Sequence, residues 1–126
     1  MGYCFGGSVV LNMAREGVDL KGVASFHGGL GTDAPAQPGK VKAQVRSFTG
    51  ADDKMIPSSQ VEEFRQEMEK AGVNYKVVVY PGAVHAFTNP DASELGKRFN
   101  MPLAYNAEAD KDSWGQLQGF LAEVLK

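Results

Sequence analysis

Met1-Gly-Tyr-Cys-Phe-Gly-Gly-Ser8 opens the chain, with Cys4 two residues from Gly2 on one side and from Gly6 on the other. An apolar run, Ser8 to Ala14 (SVVLNMA), follows at once. The spacing is that of a nucleophile elbow, with cysteine where the commoner form has serine. In an elbow a strand turns sharply into a helix and holds its central residue at strained backbone angles. A Cβ on either flank is expected to collide, which accounts for the glycines. The turn presents the nucleophile at a helix N-terminus, where the dipole favours a thiolate. The next backbone N–H, that of Phe5, is then placed to donate to an oxyanion. Only three residues precede Cys4, so on this reading the strand that enters the elbow is missing from the sequence.

Working outward, the helix begun at Ser8 is apolar around most of its circumference and is expected to be buried on several sides, with Gly17 as its stop. Gly22 to Phe26 (GVASF) is a short apolar run bounded by glycines, which favours a buried strand. Thr32 to Gly39 is a Pro/Gly loop, and Val41 to Thr49 reads as a second strand. Ser59 and Glu62 have capping-box spacing ahead of an apolar stripe at Val61, Phe64, Met68 and Ala71. The charges from Glu62 to Lys70 read as the solvated face of that helix. Asn74 to Tyr80 is the strongest strand signal. Residues 85–105, with Pro90 and Pro102, look irregular. A last helix from about Ala107 to Leu125 sets Trp114, Leu117, Leu121 and Val124 on one face. Met13, Met55 and Met68 fit core or wall packing, and Trp114 fits core.

Apolar strands alternating with helices specify an α/β fold with about three parallel strands and flanking helices. At 126 residues the chain forms a single domain, 1–126. The strand at Val23 to Phe26 looks apolar on both faces and, as an edge, invites pairing with another chain. A formal net charge of −2 gives no electrostatic reason for a nucleic-acid or anionic-membrane partner. No apolar run reaches the length of a membrane span, and no basic segment leads into an apolar one as in a secretory signal. The single cysteine cannot form an internal disulfide, which suits a reducing compartment; the expected location is cytoplasmic.

In an open parallel sheet, function gathers at the carboxyl ends of the strands. Asp52 and Asp53 follow the second strand, His85 follows the third, and Cys4 sits where a preceding strand would end. The order nucleophile, acid, histidine is the one found in α/β-hydrolases. In such a set the histidine takes the thiol proton and returns it to the leaving group, while the acid fixes the imidazole tautomer. His27 also ends a strand. It either lines the site or is a satisfied structural histidine.

Five segments carry a resemblance to a known family. They are Gly2-Tyr-Cys-Phe-Gly-Gly7, Ser25-Phe-His-Gly-Gly-Leu30, Gly50-Ala-Asp-Asp-Lys-Met-Ile-Pro57, Tyr80-Pro-Gly-Ala-Val-His-Ala-Phe87, and Ala104-Tyr-Asn106 with Ser113-Trp114. Together and in this order, the chain resembles the C-terminal half of a dienelactone hydrolase family protein, from the elbow onward. The resemblance implies a partial α/β-hydrolase fold, with the N-terminal half of the family fold absent. It implies hydrolysis of an ester or lactone (carboxymethylenebutenolidase-like) through Cys4, Asp53 and His85 and a thiol-acyl intermediate. Phe5 N–H is the implied oxyanion donor, His27 and Phe87 are implied substrate neighbours, and neither a metal nor an organic cofactor is implied. In the family the acid lies in G-x-x-D-x-x-[VI]-P, so Gly50 and Pro57 select Asp53, and Asp52 is a solvated turn residue. The best-known members carry an arginine four residues after the catalytic histidine. This chain has Asn89 there, so the substrate class stays at ester or lactone. The expected partners are that small molecule and a second copy, docked through the exposed sheet edge. The alternative reading is a catalytically impaired fragment that persists as a self-associating α/β domain.

Overall fold

Val23, Val45 and Val77 point to one side of a parallel sheet, and Ala24, Phe26 and Phe48 to the other. The computed structural model describes residues 1–126, and its elements follow from that alternation. In chain order they are β1 (Gly2–Tyr3), α1 (Phe5–Arg15), β2 (Gly22–Phe26), β3 (Gln44–Gly50), α2 (Ser58–Lys70), β4 (Tyr75–Tyr80), α3 (Ala92–Phe99) and α4 (Ala107–Val124). The sheet order is β1-β2-β3-β4 and every pairing is parallel. Helices α1 and α2 cover one face through Leu11, Ala14, Val61, Phe64 and Met68. Helix α4 covers the other through Ala109, Leu117 and Phe120, packed with Phe26, Phe48 and Phe87. The result is three layers with the strand carboxyl ends on one rim.

The sheet has a fourth strand that the sequence reading did not assign. Gly2 and Tyr3 pair with Ser25 and Phe26, so a two-residue strand does enter the elbow. β2 is therefore interior over those two residues rather than an open edge. The Tyr3 ring stacks on Phe26 at 4.6 Å between centroids, which helps hold so short a strand in register.

Other expectations shift by local packing. Helix α2 begins at Ser58 with Pro57 as N-cap and no side-chain capping bond, so Ser59 and Glu62 do not form a box. Glu67 is not on a solvated face. It takes two hydrogen bonds from Arg15, Nε and Nη2 each at 2.8 Å, and a third from Ala36 N–H at 2.8 Å. Arg15 Nη2 also donates to Leu30 O at 2.7 Å, which ties α1, α2 and the segment after β2 together. The supposedly irregular stretch contains α3, whose C-cap Asn100 adopts the left-handed conformation that asparagine tolerates. Helix α4 is rotated from its expected face: Ser113, Leu117 and Phe120 face inward, while Trp114 is 49% exposed. Met13 and Met55 are exposed and only Met68 is core. Helix α1 buries one face alone, at Gly7, Leu11, Ala14 and Arg15. No helix is long and apolar enough to cross a membrane.

Candidate active site

The rim of strand carboxyl ends brings Cys4, Asp53 and His85 together. Cys4 caps α1 with φ 51° and ψ −120°, a conformation costly for a residue with a side chain. Its backbone is pinned on both sides: its N–H donates to Phe26 O at 3.0 Å and its carbonyl accepts from Ser8 N–H at 3.2 Å. A Cβ at Gly2 would run into Gly6 O, and one at Gly7 would sit 2.5 Å from Ser25 Oγ and 3.0 Å from Gly28 Cα. Gly6 differs from expectation. A Cβ there meets nothing within 4 Å, so Gly2 and Gly7, not Gly6, make the close approaches in this structure. Phe5 is the first residue of α1, so its N–H has no acceptor within the helix, while its ring is 83% exposed.

His85 Nδ1 donates to Asp53 Oδ2 at 2.9 Å. The other carboxylate oxygen accepts from Met55 N–H at 2.9 Å, so both oxygens of a side chain with no exposed surface are occupied. Asp52 is exposed in the turn, as the family resemblance implied. The segment after α3 braces the histidine loop: His85 bridges to Leu103, and Phe87 O accepts from Asn106 N–H at 3.0 Å. Ala86, next to the histidine, has φ 62°, and His27 has φ 40°. With Cys4, that puts three of the four non-glycine residues of positive φ at this site, where strain is characteristic of functional positions.

His27 reaches the centre of the site. Its Nδ1 lies 3.2 Å from Cys4 Sγ, and its Nε2 lies 2.9 Å from Thr88 Oγ1. The Cys4 sulfur and one nitrogen from each imidazole fall within 4.8 Å of one another. No hydrogen bond of good geometry joins Cys4 to His85; in this arrangement the thiol is held by His27. The electrostatics follow. The hydrogen bond to His27 is the largest cause, and His85 the next, of a Cys4 pKa lowered to about 6. The Asp53 bond leads, and the nearby sulfur follows, in raising His85 to about 9. Near neutral pH the site therefore favours a thiolate beside an imidazolium. His27 itself is only 2% exposed, and its ring packs edge-on against Phe87 at 5.0 Å. Phe87 has no exposed surface at all, so its place is beneath the His27 ring, without direct access to a substrate.

A strained cysteine at a helix N-terminus, ahead of an Asp–His pair, is the constellation that the five sequence segments implied. Residues 1–125 match the model of the Dienelactone hydrolase family. The chain belongs to that family. A curated relative from Synechocystis sp., provisionally named a carboxymethylenebutenolidase, is 32% identical over 100% of this chain and 50% of its own length. One from Escherichia coli, named in the same way, is 29% identical over 92% of this chain and 42% of its own. The crystal structure of a dienelactone hydrolase-like promiscuous phosphotriesterase from metagenomic libraries superposes with a TM-score of 0.88. It is 32% identical and aligns with 98% of this chain and 50% of that one. The chain thus spans about half the length of these dienelactone hydrolase relatives. Thr88 and Met55 N–H, which orient His27 and Asp53, were not foreseen. Nothing in their sequence spacing marks them, because each contact is decided by how a loop folds back.

Proposed function

We propose that this chain carries the reacting groups of an ester or lactone hydrolase working through Cys4, His85 and Asp53. The carrying observation is the geometry of Cys4: a positive-φ elbow at the N-terminus of α1, with the Asp53–His85 pair at 2.9 Å on the same rim. In the proposed reaction the Cys4 thiolate attacks the carbonyl carbon and the electron pair moves to oxygen. Phe5 N–H donates to that oxyanion. His85, held through Nδ1 by Asp53, gives a proton to the departing alkoxide as the C–O bond breaks, leaving a thiol-acyl intermediate. A water, deprotonated by the same imidazole, then attacks the acyl carbon and releases the acid and the thiolate. His27 keeps the sulfur anionic and positioned. The test is turnover of p-nitrophenyl acetate by the wild type and by Cys4→Ala. Cys4-dependent turnover is expected, and equal rates overturn the reading.

A second reading has its own observation. Phe5, Val9 and Met13 are spaced by four residues on α1 and all are exposed, and β1 is the edge strand of the sheet. An apolar stripe and an open strand edge both support self-association of two copies, with impaired turnover in the isolated chain. Steady Cys4-dependent turnover by a purified monomer would falsify it.

A further inference from the structure

We propose that Cys4, His27 and His85 also form a three-ligand site for a thiophilic divalent cation of the zinc class, which competes with substrate for the sulfur. The three side chains come from separate loops, yet one donor atom of each lies within 4.8 Å of the others. Tetrahedral zinc, with Zn–S about 2.3 Å and Zn–N about 2.0 Å, sets sulfur about 3.6 Å and nitrogens about 3.3 Å apart. The Sγ to His27 Nδ1 separation of 3.2 Å is already near that value. Adjustment of the half-buried Cys4 and His85 side chains, on the order of 1 Å, closes the rest.

The surroundings of the imidazoles are what make this more than a cluster. Each histidine has its outer nitrogen engaged by an oxygen: Thr88 Oγ1 on His27 Nε2 at 2.9 Å, and Asp53 Oδ2 on His85 Nδ1 at 2.9 Å. Metal binding sets the protons on those outer nitrogens. The Nδ1 proton that His27 offers the sulfur in the metal-free site gives way to one on Nε2, against Thr88 Oγ1, and His85 keeps only its Nδ1 proton. Both inner nitrogens then present lone pairs to the cation. That is the outer-shell pattern of metal-ligating histidines, a carboxylate or neutral oxygen behind each ring. Asp53 does not ligate, since both its oxygens are occupied, but its buried charge and the thiolate together balance a dication. The rim side is left for a water as fourth ligand. Because the sulfur is already a thiolate near neutral pH, binding displaces the proton on His85 Nε2, and at lower pH any proton on the sulfur as well, and releases it to the buffer.

Metal binding does not depend on the hydrolase reading, whereas inhibition does. The experiment is a cobalt(II) titration of the full chain without thiol reductant, followed by absorbance. The expected result is one cobalt per chain, with a near-ultraviolet thiolate-to-cobalt band and the visible bands of a tetrahedral site, all erased by zinc. Cys4→Ser should remove the sulfur band, and His27→Gln and Thr88→Val should each weaken binding by about 10-fold or more, with circular dichroism confirming folded variants. A wild-type titration lacking the sulfur band overturns the proposal without any variant, and so does affinity unchanged in folded His27→Gln. Ester turnover read in parallel separates the two claims. Cobalt binding without Cys4-dependent turnover removes the hydrolase and leaves the site; turnover without cobalt binding does the reverse.

Discussion

At the residue scale, Cys4 is governed by two imidazoles with different tasks. His27 touches the sulfur and contributes most to the lowered pKa, while His85 is anchored on Asp53 and kept protonated. The signs give a pH window. The thiolate forms as pH rises through about 6, and the His85 proton is lost as pH rises through about 9. Because the groups interact, the inflections belong to the pair. Alkylation of Cys4 by iodoacetamide should therefore stay fast at pH 7 and fall only toward pH 6, where an ordinary thiol with a value of 9.0 would already be slow. In His27→Gln the inflection should move upward, since the leading cause is removed. Ester turnover should follow a bell between the same limits. Asp53→Asn addresses the other half of the pair. An asparagine amide donating to Nδ1 forces the proton onto Nε2, so the imidazole can no longer accept one. Turnover should drop by roughly three to four decades with secondary structure unchanged. A small loss measured by stopped assay would show that Asp53 does not set the tautomer.

At the element scale, the site depends on how the rim loops are braced, and the bracing comes from buried polar contacts rather than from the helices' amphipathic faces. The Arg15–Glu67 pair is the clearest case, with side chains 4% and 9% exposed. Arg15 belongs to the helix that starts at the nucleophile, and it also donates to Leu30 O just beyond His27. Glu67→Ala leaves the guanidinium buried with its main partner gone, and should cost about 3–5 kcal/mol in urea unfolding. The double variant Arg15→Met/Glu67→Leu should recover most of that loss, because the penalty is an unpaired buried charge and not the absence of a bridge. If both variants lose the same stability, the pair does more than neutralise itself.

At the scale of the whole molecule, the two sides of the sheet are unequally covered. Helix α4 shields one face and α1 and α2 the other, but β1 pairs over two residues only and leaves its outer side open. Helix α1, which follows β1, also exposes the Phe5, Val9, Met13 stripe. Light scattering at tens of micromolar, roughly the range in which a standard-sized interface is populated, should give a two-copy mass. Val9→Lys, which sets a charge in the stripe without touching the site, should return it to one copy. A wild-type monomer under those conditions removes the self-association reading.

How much of this was legible in the sequence differs by residue for physical reasons. The elbow and the α/β alternation were readable because each rests on local spacing: glycines that relieve a turn and valines that alternate across a pleat. The choice of Asp53 over Asp52 came from the family resemblance alone, since both follow the same strand. The two-residue β1 was not readable, since a strand that short exists only by its pairing with Ser25 and Phe26. The inward face of α4 turned away from Trp114 because Leu117 and Phe120 had room beside Phe26 and Phe48, and helical periodicity cannot weigh a cavity it does not know. Glu67 looked solvated for the same reason, its partner lying 52 residues earlier. By itself the sequence determined which reactive groups stand at the strand ends and in what order. Tertiary structure alone decided that the sulfur rests against His27, that Thr88 stands behind that ring, and that Phe87 lies beneath it. Those contacts join residues distant along the chain, and only the closing of loops over a packed sheet brings them within hydrogen-bond range.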